Sequence, residues 1–167
     1  IPCCVDFTRF DQEQTQRETI RGELNLTNRR VIVYVGSFGG WYLTEEMIDF
    51  LRVAHKQDSS TFSLILTQSP REAVSRDMLK LGISEDDFLV AEVKPDQVPR
   101  FLKAADIAIS FIKACYSKQA SSPTKIAEYL ASGLPIVSNA GIGDLDRLIT
   151  EKRVGALLHE FNEPAYL

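Results

Sequence analysis

The stretch Ser122-Pro123-Thr124-Lys125-Ile126-Ala127-Glu128-Tyr129-Leu130-Ala131-Ser132-Gly133-Leu134-Pro135-Ile136-Val137 reads as a helix leading into a strand. Ser122 suits the N-cap and Pro123 the first helical position, where a missing N–H costs nothing. Ile126, Ala127, Leu130 and Ala131 form a narrow apolar stripe, Gly133 ends the helix, and Leu134 to Val137 is a short buried strand. Thr124 and Glu128 share one side of the helix, about 6 Å apart along its axis. The helix start offers unpaired N–H groups, the positive end of the dipole and Lys125, which together suit a phosphate. A carboxylate one turn further on suits the vicinal hydroxyls of a ribose. Phosphate at the tip and sugar below describe a nucleotide. The same residues also describe a surface helix with Lys125 and Glu128 merely solvated, and helix grammar does not separate the two.

Outward from this stretch the chain alternates. Val31 to Val35 is an unbroken apolar, β-branched run, the pattern of a strand buried on both faces. Gly36-Ser37-Phe38-Gly39-Gly40-Trp41-Tyr42 follows it, and glycines between a strand and a helix let backbone approach a ligand. Their spacing is not that of the dinucleotide fingerprint, which disfavours NAD, and a plain tight turn fits them equally well. Leu43 to Lys56 reads as a helix with Leu43, Met47, Phe50, Leu51 and Ala54 inward. Phe62 to Leu66 is a strand, and Ser69-Pro70-Arg71-Glu72 a capping box for a helix that Gly82 closes. Phe88 to Val93 is a strand, Pro95 to Ala104 a short helix, and Ile107 to Ile112 a strand. After the central stretch, Asp144 to Glu151 is a helix and Val154 to Leu158 a sixth strand. Ahead of all these, Ile1 to Phe10 reads as extended chain and Asp11 to Leu24 as a polar helix.

Strict alternation predicts the α/β class: a single-domain, doubly wound parallel sheet, Rossmann-like, with helices on both faces. Ligands in such sheets bind at the carboxyl ends of strands, near the switch in strand order. The loops Gly36–Tyr42, Thr67–Gln68, Val93–Lys94, Lys113–Ser122 and Asn139–Gly143 all lie at such ends.

Composition narrows the function classes. The 167 residues are 44% hydrophobic and 25% charged, which is ordinary for one globular domain. A net charge of −4 argues against a general nucleic-acid binder. No apolar run reaches the roughly 20 residues that cross a bilayer. Three cysteines, two of them adjacent, make no disulfide framework, and two scattered histidines make no metal site. Reduced cysteines fit a cytoplasmic setting. The start at Ile1 is read as that of an excised piece.

The combination resembles the donor-binding, C-terminal half of family 4 glycosyltransferases, enzymes of two-domain GT-B architecture. Ser122 to Val137 carries the resemblance, with Val33-Tyr34-Val35-Gly36-Ser37 as the first strand and loop of that half. Ile1 to Phe10 is similar to the segment joining the halves, and Gly143-Asp144-Leu145, Leu148-Ile149 and Val154-Gly155 to the closing section. The resemblance implies residues 1–30 as linker and leading helix from a missing N-terminal half, and 31–167 as the Rossmann-like nucleotide-sugar domain. It implies a retaining hexosyltransferase acting on a UDP- or GDP-linked sugar, with no further cofactor. The implied acceptor, a glycan or a lipid, belongs to the missing half, as does any peripheral membrane contact. This stretch alone is therefore expected not to catalyse transfer.

By position, the resemblance makes Glu128 the ribose ligand and places the diphosphate on backbone amides around Ser121, Ser122, Pro123, Thr124 and Lys125. Gly36, Ser37, Gly39 and Gly40 would face the phosphates and sugar, and Thr67 and Val93 complete the donor site, with backbone near Val93 at the base. No residue is singled out as catalytic. Two departures stand out. Many members carry a second glutamate where this chain has Ala120, and the usual arginine and lysine after the first strand are absent. A sugar-nucleotide epimerase of GT-B type and a non-catalytic nucleotide-binding domain are the alternatives.

Overall fold

The computed structural model describes residues 3–10 and 15–167. Among the described residues, seven α-helices and six strands follow in order. They are α1 (Thr15–Glu23), β1 (Arg30–Val35), α2 (Thr44–Gln57), β2 (Thr61–Leu66), α3 (Arg71–Lys80), β3 (Phe88–Ala91) and α4 (Val98–Ala104). After these come β4 (Ile107–Ser110), α5 (Thr124–Ala131), β5 (Ile136–Asn139), α6 (Leu145–Lys152), β6 (Gly155–Leu158) and α7 (Glu163–Tyr166). The expected α/β class holds: one domain built on a sheet of six parallel strands, ordered β3-β2-β1-β4-β5-β6. The order runs outward from β1 in both directions, so the switch point lies between β1 and β4.

Alternate strand residues feed two apolar layers. Val31 and Val33 of β1 pack with Leu102, Ile126, Tyr129, Leu145 and Ile149, the layer of α1, α4, α5 and α6. Ile32 and Tyr34 pack with Met47, Leu51, Val74 and Met78, the layer of α2 and α3. Phe10, Ile20 and Leu26 are buried in the first layer. The expected inward residues Met47, Phe50 and Leu51 are buried, Leu43 and Ala54 pack partly buried against the same layer, and Ile48 and Val53 join them.

Several boundaries differ from the sequence reading, each for a hydrogen-bonding reason. Ser122 does not cap α5: the cap position is Pro123, and the Ser122 hydroxyl accepts from the Cys3 amide at 3.0 Å. Likewise Ser69 forms no capping box, because its hydroxyl accepts from the Phe38 amide at 2.9 Å and α3 starts behind Pro70. Leu134 is not strand: its amide donates to the Tyr129 carbonyl and that of Gly133 to Leu130, closing α5 with φ +74° at Gly133. Strand β5 therefore starts at Ile136. Strand β3 ends at Ala91 and α4 begins at Val98, leaving Val93 and Pro95 in the connecting loop. Phe7–Arg9 is one 3-10 turn rather than extended chain, tied by the Asp6 carboxylate to the Thr8 amide. The expectations for Ile1, Pro2 and residues 11–14 fall outside the described residues.

At the amino end of the sheet, Asp106 gathers α1 onto β1. Its carboxylate accepts from Arg17, from Arg21 at 3.2 Å and from the Val31 amide at 2.8 Å. Removing it orphans a strand N–H and takes the carboxylate from two partly buried guanidinium groups, which keep only backbone carbonyl acceptors. Asp106→Ala is expected to lose about 2–3 kcal/mol in urea unfolding, and Asp106→Asn, which still accepts from Val31, about half as much.

Candidate functional site

The carboxyl ends of β1, β2 and β3 frame a cleft of about 260 Å³. Gly36 and Ser37 form one wall, Thr67 and Gln68 the next, and Val93 and Pro95 the third. Glu128 of α5 closes the open side. Of the residues singled out in the sequence, the cleft brings together Gly36, Ser37, Thr67, Val93 and Glu128.

The others lie elsewhere. Ser122 and Pro123 face a separate apolar cleft of about 350 Å³ between α5 and α6, with Cys3 at its edge. Thr124 is exposed at the first position of α5 and does not line the Glu128 cleft. Gly39 donates its amide to Thr44 Oγ1 at 2.7 Å, and Gly40 (φ +63°) turns the chain toward α2. Ser121 is a packing residue. Its carbonyl sits 1.8 Å from where a Cβ on Gly143 would fall, so only glycine permits that contact at φ +52°.

The glycine loop is tied from three sides. The Gly36 amide donates to the Leu66 carbonyl at 3.0 Å, Phe38 to Ser69, and the Tyr34 hydroxyl to the Ser37 carbonyl at 2.7 Å. The Ser37 amide has no acceptor among the described residues. At the start of α5 the Ile126 amide donates to the Pro123 carbonyl, whereas those of Thr124 and Lys125 have no acceptor among the described residues.

Lys125 lies outside the cleft lining, beneath the loop. Its ammonium is 3.9 Å from the Tyr42 ring centroid and 4.5 Å from that of Tyr34. Burial pushes this amine down to about 7, with Glu128 opposing. Burial likewise raises the Glu128 carboxyl above its ordinary range, opposed by Arg9 and then Lys125. Both groups are desolvated toward neutrality, the condition of charges prepared for a polar ligand.

Two residues of this site escaped the sequence reading. Tyr129 is fully buried, and its hydroxyl accepts from the Val35 amide at 2.9 Å while donating to the Ile109 carbonyl at 3.4 Å. It thus stands between β1 and β4 where their pairing has ended. Its position three residues after Ile126 put it on the apolar side, which was the available signal. Arg9 reaches the cleft rim, donating to the Pro95 carbonyl at 2.7 Å. Nothing local in Phe7 to Phe10 announces that.

A family model described as Glycosyl transferases group 1 matches residues 16–166. The chain belongs to that family. Its fold is that of one half of a GT-B glycosyltransferase. Spore coat protein SA of Bacillus subtilis (strain 168) is 24% identical, over 92% of this chain and 41% of its own length. Among solved structures, WaaG, a glycosyltransferase involved in lipopolysaccharide biosynthesis, superposes with TM-score 0.79 at 19% identity, covering 99% of this chain and 44% of WaaG. Anabaena HepE in complex with UDP and glucose superposes with TM-score 0.75 at 16% identity, covering 96% and 42%. The glycosyl transferase group 1 chain thus spans less than half the length of these relatives.

Two stability predictions arise from the site of this group 1 domain. Tyr129→Phe keeps the ring but leaves the buried Val35 N–H without a partner, and is expected to lose about 1–3 kcal/mol by chemical denaturation. A loss under about 0.5 kcal/mol would mean that β1 and β4 close on each other without the hydroxyl. Glu128, raised above its unfolded value, favours folding most at acid pH and loses that margin as pH rises through its folded value. Glu128→Gln is therefore expected to raise Tm at about pH 7.5 and to leave it unchanged near pH 3.5.

Proposed function

We propose that this chain is the nucleotide-sugar donor-binding half of a retaining glycosyltransferase. The observation that carries the reading is Glu128: a desolvated carboxylate closing a cleft built from strand carboxyl ends, beside the free Ser37 amide. A carboxylate there accepts from paired ribose hydroxyls, and unpaired amides and a glycine loop receive a diphosphate. Val93 and Pro95 offer apolar and backbone contacts for a base. The complex of HepE with UDP and glucose supports UDP as the first nucleotide to test, with GDP second.

In this reading the acceptor face lies in an N-terminal half outside this chain, residues 1–30 lead from it, and the chain alone binds donor without transferring sugar. Ala120, exposed in the loop before α5, supplies no carboxylate to the transferred sugar, so the sugar is chosen by other contacts. Among the described residues no helix is long and apolar enough to cross a membrane. Cytoplasmic placement, with any membrane contact made by the other half, completes the proposal.

Calorimetric titration with UDP tests it. Half a cleft should bind UDP weakly, with Kd on the order of 0.1–1 mM. Glu128→Ala should weaken UDP about 10- to 150-fold, because a hydrogen bond to a charged group contributes roughly 1.5–3 kcal/mol. UDP lacking its ribose 2′ and 3′ hydroxyls should bind wild type and Glu128→Ala equally weakly. Additive losses would remove Glu128 from the ribose site, and no binding by UDP or GDP would overturn the reading.

A further inference from the structure

The loop from Gly36 to Gly40 brings no cation to the cleft. The nearest candidate approaches from below. Lys125 Nζ lies 2.5 Å from where a Cβ on Gly36 would fall, so the ammonium rests directly against the loop backbone. That contact needs glycine, which here has φ +145°. The same nitrogen donates to the Tyr34 hydroxyl at 3.5 Å, and that hydroxyl donates to the Ser37 carbonyl. Tyr34 and Tyr42 box the amine with their rings. Among the described residues Lys125 makes no ion pair. A half-buried lysine with no carboxylate in ion-pair contact, set under the loop at the switch point, is a cation short of an anion.

We propose that Lys125 is the cation for the donor's diphosphate and that it takes up a proton when the diphosphate arrives. The inference rests on the donor-binding reading above. The balance is simple: the neutral amine, the nucleotide and one proton from the buffer give the ammonium–diphosphate complex, and no covalent bond changes. The groups that face the amine are few. Tyr34 comes from β1 and Tyr42 from the loop after it, while Glu128 shares α5 and is itself opposed by Arg9. Burial raises the Tyr34 phenol, so that ring stays neutral throughout. Burial also brings the amine down to about 7, whereas a diphosphate within a few ångströms holds the charged form. The sign follows: free protein loses the lysine proton as pH rises through about 7, the complex keeps it to higher pH, and affinity falls between the two values.

The test uses UDP as probe and uridine as control, between about pH 7.5 and 9.0, where the terminal phosphate is already ionised. Wild type is expected to take up close to one proton per UDP near pH 8.5, read by calorimetry in two buffers of different ionisation heat. Its Kd for UDP should rise about 20-fold across that range, and uridine binding should stay flat. Lys125→Arg, which never loses its charge, should bind UDP with no proton uptake and no slope. Lys125→Met should bind weakly, also without slope. UDP binding by wild type with neither uptake nor slope overturns the proposal and leaves the donor site standing. A slope that persists in Lys125→Met assigns the proton to another group and also overturns it. Absence of binding by both UDP and GDP at every pH overturns the donor-binding reading itself.

Discussion

The tyrosine hydroxyl between β1 and β4 is the constraint on which the site depends. The two strands pair only at Ile32 with Ile107 and Val33 with Ala108. Beyond that point the Val35 amide and the Ile109 carbonyl meet the Tyr129 hydroxyl instead of each other. The sheet is thereby opened at its switch point without leaving buried backbone groups unpaired, which would cost more than the opening. Because Lys125 lies four residues before Tyr129, one turn up the same helical face, seating the hydroxyl also seats the lysine under the glycine loop. Glu128, adjacent to Tyr129, is turned toward the cleft.

The charges around that hydroxyl are costly to the folded protein. Lys125 and Glu128 are both driven toward neutrality by burial, and neither is satisfied by the other. A domain selected for stability alone would replace them with apolar or exposed residues. The rest of the fold offsets the cost. Two continuous apolar layers cover the sheet, and the Asn139 side chain clamps the segment after β4, accepting from and donating to Ile112 at 2.8 and 2.9 Å. Rigid strands with desolvated charges at one end describe a molecule organised for a polar ligand at its carboxyl edge.

The Gly36 contact and the Gly143 contact show how narrow the geometry is. At one, a lysine tip touches the loop backbone. At the other, the loop after β5 rests on the carbonyl of Ser121 just ahead of α5. The second, backbone against backbone, fixes the entry of α5, whereas the first involves the tip of a flexible side chain that can give.

The sequence by itself determined the architecture. Unbroken apolar runs such as Val31 to Val35, alternating with amphipathic helices, admit little besides a parallel sheet covered on both faces, because each element must bury its apolar side. It also picked out Gly36, Ser37, Thr67 and Val93, which lie in loops after strands, and Glu128, one helical turn beyond the start of α5. Only the tertiary structure decided the rest. Ser122 and Ser69 looked like caps locally, but their hydroxyls are taken by amides distant along the chain, Cys3 and Phe38. Arg9 meets Pro95, and its charge acts on Glu128, only because the chain's beginning folds back to the cleft rim. Lys125 read equally well as a cation for a phosphate and as a solvated helix tip, and only the rings of Tyr34 and Tyr42 packed against it show that it is not a solvated one. Local periodicity reports which face of an element is apolar; which distant polar group completes a hydrogen bond, or which ring covers a charge, is set by how the elements meet.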